Sequence, residues 1–292
     1  MYQNIKVGFI GLGVMGQSMA EHILKAGYPL YVYNRTKSKS DKLVELGAVW
    51  QNTPQEIAQV CDLVLTIVGY PADVEAVYLG ENGLFEGARS GQVFIDLTTS
   101  RPSLAQELTA KGKAIGVTVL DAPVSGGDLG AKAGRLTAMV GGDASTLDEV
   151  RPVLETFSAS IQHHGPAGSG QHAKASNQIM IAGTMTGMVE TLRYAKANGL
   201  DLEKVIATLT GGAAKNWSLA NYGPRILKAD YSPGFFVKHY IKDLGIALEE
   251  AEKAHLDLPG TSLAYDLYRE LASEGHENEG TQALIKLWWD QE

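Results

Sequence analysis

The start of the chain limits most strongly what it can fold into. Lys6-Val7-Gly8-Phe9-Ile10 runs into Gly11-Leu12-Gly13-Val14-Met15-Gly16, and an amphipathic stretch through Ile23 and Leu24 follows before Gly27. Strand, glycine turn and helix arrive in the order of a βαβ unit. Gly11 permits the tight turn, Gly13 lets a pyrophosphate approach the backbone, and Gly16 lets the helix pack on the strand, so that a helix N-terminus faces the phosphates. A glycine-rich turn without a ligand is the plainer alternative. In this context Gly11, Leu12, Gly13, Val14, Met15 and Gly16 are predicted to hold a dinucleotide.

Up to about Ile161 the chain alternates short β-branched runs with helical stretches, as a parallel α/β sheet requires. The strand candidates are Lys6-Ile10, Leu30-Tyr33, Leu63-Val68, Val93-Leu97, Thr118-Asp121 and Thr137-Val140. After Gly165 the apolar residues recur with helical spacing only. The expected fold is therefore an N-terminal Rossmann domain over residues 1–164 and an all-helical domain over 165–292, joined by a long helix at about 170–198. Further helices are expected at Asp201-Leu209, Ile241-Ala254, Gly260-Ser273 and Thr281-Asp290. With 292 residues, 45% of them apolar, each part can bury a core.

Net charge argues against nucleic acid as a partner, since a formal charge of -8 offers no basic surface for phosphates. The single cysteine, Cys61, excludes an intrachain disulfide and suits a reducing compartment. No export signal opens the chain and no apolar run reaches the roughly 20 residues that span a bilayer, so a cytoplasmic protein without membrane contact is expected. The histidines, including His163-His164, fall into no metal-ligand spacing, and no metal is expected.

The second strand ends in Asn34-Arg35-Thr36. NAD sites place a carboxylate at that corner to bind the ribose 2′-hydroxyl; here Arg35 offers a planar fork for a 2′-phosphate, and Thr36 and Lys39 add donors. NADP is the preferred cofactor on this ground, with NAD possible. A solvated Arg35 is the plainer alternative.

Two later segments carry polar groups in suggestive places. Leu120-Asp121-Ala122-Pro123-Val124-Ser125-Gly126-Gly127 is a strand entering a stretch too glycine-rich for a helix, whose exposed amides and Ser125 hydroxyl could hold a carboxylate. A structural turn fits the spacing equally well. Gly168-Ser169-Gly170-Gln171-His172-Ala173-Lys174-Ala175-Ser176-Asn177-Gln178 opens the long helix, with Lys174 and Asn177 three apart on one face. A lysine there is expected at an interdomain cleft. Taken alone, a helical lysine is most often a surface cation.

Four segments in order give the chain its resemblance: GLGVMG at 11–16, DAPVSGGDLGAKAGRLTAMVGG at 121–142, GSGQHAKASNQ at 168–178 and KDLGIALEEA at 242–251. It resembles the β-hydroxyacid dehydrogenase family, which includes 3-hydroxyisobutyrate dehydrogenases, tartronate semialdehyde reductases and glyoxylate/succinic semialdehyde reductases and is distantly related to 6-phosphogluconate dehydrogenase. The resemblance implies that Lys174 is the catalytic acid/base. It implies that Ser125, Gly126 and Gly127 bind a small carboxylate-bearing substrate, that Asn177 orients it, and that Lys242 closes over the cofactor. Val68, Gly69, Asp73 and Thr99 are implied cofactor contacts, although Gly69 stands where many members have Pro and Asp73 where some have Asn. The family's NADP-preferring reductases carry an Asn-Arg-Thr triplet like residues 34–36. Interconversion of a small β- or γ-hydroxy acid and its semialdehyde or keto acid, in a homodimer or homotetramer, is the implied function. The alternatives are an NADPH sensor or scaffold without turnover, and an imine reductase. Side chains around Trp217, Tyr222 and Phe235 are expected to line the substrate pocket.

Overall fold

Short runs that are apolar on both pleat faces can be buried only in the centre of a sheet covered on both sides. The computed structural model, which describes residues 5–289, places them there. The chain divides into two units, Met1–Lys174 and Ala175–Glu292. In the first, β1 (Val7–Ile10), β2 (Leu30–Tyr33), β3 (Val49–Trp50), β4 (Leu63–Thr66), β5 (Val93–Asp96) and β6 (Thr118–Asp121) form a parallel sheet in the order β3-β2-β1-β4-β5-β6. Val7 pairs with both Leu30 and Leu63, which fixes the register of the centre.

Three strands absent from the sequence-based expectation or longer than it complete the sheet. β7 (Val124–Ser125) and β8 (Leu136–Gly141) run antiparallel to each other, β8 meets β6 at Asp121 and Gly141, and β9 (Ser158–Gly165) lies parallel to β8. β3 and β7 have two residues each, too short for a periodic signal, and β9 is a half-exposed strand with polar positions through Gln162, His163 and His164. His163 meets the Gly142 carbonyl oxygen at 2.8 Å through its ring nitrogen.

Alternate residues of each strand feed separate cores. Val7, Phe9, Leu63, Leu65, Val93 and Ile95 face Met19, Ala20 and Ile23 of the helix Gly16–Lys25 on one side. Ile10, Val64 and Phe94 face Ile57, Val74, Tyr78, Leu104 and Leu108 on the other. Each such side chain contributes roughly 1.5–3 kcal/mol by leaving water.

The expectation that the stretch at 126–127 excludes helix is corrected. Gly126 (φ +129°) and Gly127 (φ +62°) absorb a left-handed turn, and a short helix, Gly127–Lys132, follows at once, braced by a Lys132–Asp128 ion pair at 3.1 Å. Glycine here is the residue that lets a helix start so soon after a strand.

The second unit is helical. The long helix Ser169–Ala197 runs into it and ends before Gly199, at φ +67°, as the Asn-Gly pair suggests. Leu202–Gly211, Trp217–Leu227, Val237–Lys253 and Pro259–Leu271 follow. Their core joins Met185, Met188, Val189 and Leu192 to Leu219, Tyr222, Ile226, Tyr240, Leu244 and Tyr268. Trp217–Leu227 was not anticipated, because Gly223 and Pro224 lie inside it; burial of Leu219, Tyr222 and Ile226 on one face outweighs them. Thr281–Ile285 is a 3-10 turn leading to the short helix Lys286–Trp289 rather than one helix, and Asp290 lies outside the described residues. Trp288 and Trp289 sit under Arg193 and Lys196, 4.6 and 4.5 Å from the ring centres. Among the described residues no helix is long and apolar enough to cross a membrane.

Candidate active site

The strand order reverses at β1, with β2 on one side and β4 on the other. Such a switch point opens a crevice beyond the carboxyl ends of the strands. The segments after β1 (Gly11–Gly16), β2 (Asn34–Thr36), β4 (Val68, Gly69) and β5 (Thr99) all begin there. Topology thus gathers residues that are far apart in sequence.

The three glycines of the first turn differ in what they do. A Cβ on Gly11, at φ +97°, would run into the Ile67 carbonyl oxygen, and one on Gly16 would run into the carbonyl oxygen of Gly11. Those two are required by the fold itself. A Cβ on Gly13 would meet nothing within 4 Å, so its absence leaves open room beside the backbone. That room fits a dinucleotide pyrophosphate approaching the turn.

Asn34 ties this turn to β2. Its side chain accepts from the Leu12 amide at 2.9 Å and donates to the Thr36 carbonyl oxygen at 2.8 Å. Leu12 is buried, whereas Val14 is exposed and Met15 precedes the first helix. Lys39 donates its amide to the Thr36 carbonyl oxygen in the next turn, and Gln17 reaches across to the Lys39 carbonyl oxygen. Arg35 projects outward with 88% of its side chain exposed, 3.3 Å from Asp73 Oδ1. Asp73 Oδ2 in turn accepts from the Tyr70 amide at 3.1 Å and caps the helix Pro71–Leu79. Between the strand ends, the Val68 amide donates to Thr98 Oγ1 at 3.0 Å.

Lys174 lies in the second turn of the long helix, only 7% exposed, and its ammonium donates to the Val124 carbonyl oxygen at 2.9 Å. Ser125 is the next residue, paired with Thr137 of β8, and Gly126 and Gly127 continue from it. The structure therefore brings Lys174 to the Ser125-Gly126-Gly127 turn. Burying an ammonium requires polar partners, and a main-chain carbonyl supplies one.

Two residues that sequence reasoning passed over hold this arrangement. Asp121, at the end of β6, accepts from the amides of Gly168 at 2.8 Å and Gln171 at 2.9 Å, capping the helix one turn before Lys174. A Cβ on Gly141 or Gly170 would collide with Asp121, so both glycines make room for it. Burial pushes the Asp121 carboxyl above its usual range, against the opposing pull of the Gly168 and Gln171 amides. Gln171, 1% exposed, accepts from the Ser100 amide at 2.9 Å and donates to the Thr98 carbonyl oxygen at 2.8 Å. A carboxylate ending an apolar strand was the available signal for Asp121; Gln171 offered none beyond lying one turn before Lys174.

In the second unit, Asn177 donates to Gln178 Oε1 at 2.7 Å, and Lys242 lies 3.0 Å from Asp243 Oδ1. Tyr222 is buried, Phe235 packs edge-on against Tyr240, and Trp217 is half-exposed and meets Tyr222 edge to face. No group of three or more potential metal ligands occurs among the described residues.

Residues 6–165 match the family model of the NAD-binding domain of 6-phosphogluconate dehydrogenase, and residues 168–288 match that of the NAD-binding region of NADP-dependent 3-hydroxyisobutyrate dehydrogenase. The chain belongs to the β-hydroxyacid dehydrogenase family. Like its family, it is an NAD(P)-dependent oxidoreductase. It is similar to the NAD-dependent L-serine dehydrogenase of Pseudomonas aeruginosa, 37% identical over 97% of each chain. With the 2-hydroxy-3-oxopropionate reductase of Escherichia coli it shares 34% identity over 97% of this chain and 96% of the relative. The 3-hydroxyisobutyrate dehydrogenase of Mycobacterium tuberculosis, solved with L-serine, superimposes with a TM-score of 0.87 at 30% identity, covering 97% of this chain and 99% of that one.

Proposed function

We propose that this β-hydroxyacid dehydrogenase interconverts a small β-hydroxy acid, or its γ-hydroxy homologue, with the matching semialdehyde or keto acid, using Lys174 as the acid/base. The observation that carries this reading is the burial of the Lys174 ammonium against the Val124 carbonyl, one residue before Ser125. A lysine buried at the strand ends and hydrogen-bonded to main chain has no role in the hydrophobic core.

When bound, the nicotinamide supplies or accepts the hydride. Ser125 and the amides of Gly126 and Gly127 hold the substrate carboxylate through a concave set of donors. The Lys174 ammonium stabilises negative charge developing on the substrate oxygen and delivers its proton there; in oxidation the neutral amine removes it. Asn177, on the same helical face, orients the hydroxyl or carbonyl. Gly11, Leu12, Gly13, Val14, Met15 and Gly16 line the pyrophosphate, Val68, Gly69, Asp73 and Thr99 contribute further contacts, and Lys242 contacts the cofactor from the helical region. Arg35, with Asn34, Thr36 and Lys39 around it, favours NADP over NAD by pairing with the 2′-phosphate. The division into a cofactor domain over 1–164 and a helical substrate domain over 165–292, a homodimer or homotetramer, and a cytoplasmic setting belong to the same proposal.

The relatives act on three-carbon hydroxy acids or their oxidised forms by name. The test is a nicotinamide absorbance assay of L-serine, 3-hydroxyisobutyrate, 2-hydroxy-3-oxopropionate, glyoxylate and succinic semialdehyde with both cofactors. Turnover of at least one with NADPH or NADP is expected. Tight NADPH binding with no turnover of any would overturn the proposed substrate class.

A further inference from the structure

Asp243 is 2% exposed and lies in the helix Val237–Lys253, where an unpartnered carboxylate would be costly to bury. Its partners account for its presence. One oxygen lies 3.0 Å from the ammonium of Lys242, and the other accepts from Gln178 Nε2 at 2.6 Å. Gln178 then accepts from Asn177 Nδ2 at 2.7 Å, and its main-chain carbonyl oxygen accepts from the Tyr240 hydroxyl at 3.1 Å. The result is a line of side chains, Lys242, Asp243, Gln178 and Asn177, with the one carboxylate at its centre.

We infer that Asp243 is a positioning residue that sets the orientation of both Lys242 and Asn177. This rests on the reading above that Lys242 contacts the cofactor and Asn177 the substrate. A lysine side chain has four rotatable bonds, and a fixed anion beside it selects among its rotamers before any ligand arrives. Asn177 is settled in the same way: its amide group donates to Gln178 Oε1, and Gln178 presents that oxygen while its own amide group is committed to Asp243. The two ends of the line differ: a hydrogen bond of 2.6 Å joins the carboxylate to Gln178, whereas Lys242 meets Oδ1 as an ion pair at 3.0 Å without an aligned hydrogen bond. Neither end can be reassigned without disturbing the carboxylate between them.

Three variants of the full chain separate the arms. Asp243→Asn removes the charge that attracts Lys242 but keeps an oxygen for Gln178, Gln178→Met breaks the arm to Asn177 alone, and Asp243→Leu breaks both. NADPH affinity is read by titrating nicotinamide fluorescence, which needs no turnover, and KM is read with succinic semialdehyde. Asp243→Asn is expected to raise the NADPH Kd about tenfold with little change in KM, and Gln178→Met to raise KM about tenfold with little change in Kd, as contacts within one network do. Asp243→Leu is expected to do both; if it fails to fold, the other two carry the test. Each loss is expected to vanish when the end residue is already gone, in Lys242→Met for the first and Asn177→Ala for the second. Losses that persist undiminished in those backgrounds, or single variants that leave Kd and KM at wild-type values, overturn the inference while the site assignment stands. If Lys242→Met and Asn177→Ala themselves change neither Kd nor KM, the assignment falls and the inference with it.

Discussion

Lys174 donates to the Val124 carbonyl at 2.9 Å, and the helical turn that presents it is capped by Asp121, three residues before Val124. One short strand end therefore supplies both the partner of the ammonium and the anchor of its helix. Asp121→Asn keeps one acceptor but turns an amide group toward an N–H that needs one, which costs roughly 1–3 kcal/mol for a buried group. We expect a lower thermal midpoint and kcat reduced about tenfold by misplacement of Lys174, with NADPH affinity nearly unchanged. Calorimetry and steady-state kinetics read these separately. Equal losses in kcat and cofactor affinity would mean that Asp121 supports the whole unit and not this turn in particular.

Two glycines of the first turn give opposite expectations. Gly11→Ala places a Cβ against the Ile67 carbonyl oxygen at a positive φ and should destabilise the first unit by about 2 kcal/mol or more. Gly13→Ala meets no neighbour, so the thermal midpoint should stay near that of the wild type while NADPH affinity falls at least about tenfold through collision with the pyrophosphate. A Gly13→Ala protein that binds NADPH normally would remove the dinucleotide from this turn.

Among the described residues Arg35 is held by an exposed ion pair with Asp73, a contact worth about 0–1 kcal/mol. A 2′-phosphate carries more charge and offers bidentate geometry, so it should displace Asp73 readily. Arg35→Ala is expected to raise the Kd for NADPH roughly tenfold to a hundredfold and to leave that for NADH within about twofold. Asp73→Asn, which keeps an acceptor for the Tyr70 amide, should tighten NADPH slightly. Equal loss for both nucleotides in Arg35→Ala would count against the 2′-phosphate role.

The centre of the fold was legible because its strands are apolar on both faces and four residues long, and the glycine turn follows β1 without a gap. β3 and β7 escaped because two residues carry no period, and the helix Trp217–Leu227 because Gly223 and Pro224 argue locally against a structure that tertiary burial stabilises. Lys174, Ser125 and Asn177 stood out in their segments but took their roles from resemblance, since one helical lysine and one glycine turn have ordinary structural explanations. Asp121, Gln171 and Asp243 lie in the quoted segments but were given no role. Their roles arise from hydrogen bonds to partners 50, 71 and 65 residues away, which no local pattern encodes.

Acid sensitivity can be followed at one exposed cluster. Glu21 accepts hydrogen bonds from Lys25 and Lys42, at 2.6 and 2.7 Å, which hold its carboxyl down at about 2. Because the folded value lies below the ordinary 4.5, this contribution to stability is complete above about 4.5 and is lost as the pH falls towards 2. Urea midpoints of wild type and Glu21→Gln should differ at pH 6 and draw together progressively as the pH falls below about 4.5 towards 2. A gap that is constant with pH would show that the pairs are not formed in solution.

On the function proposed above, Lys174 transfers the proton. Lys174→Met removes the ammonium and keeps most of the apolar stem, so the protein should fold and bind NADPH with a Kd within about threefold of wild type. Its kcat/KM on the best substrate of the panel should fall by roughly 10²- to 10⁴-fold, the usual contribution of general acid–base catalysis. Substrate turnover by Lys174→Met at more than about a tenth of the wild-type rate, with the variant folded and loaded, would contradict the account.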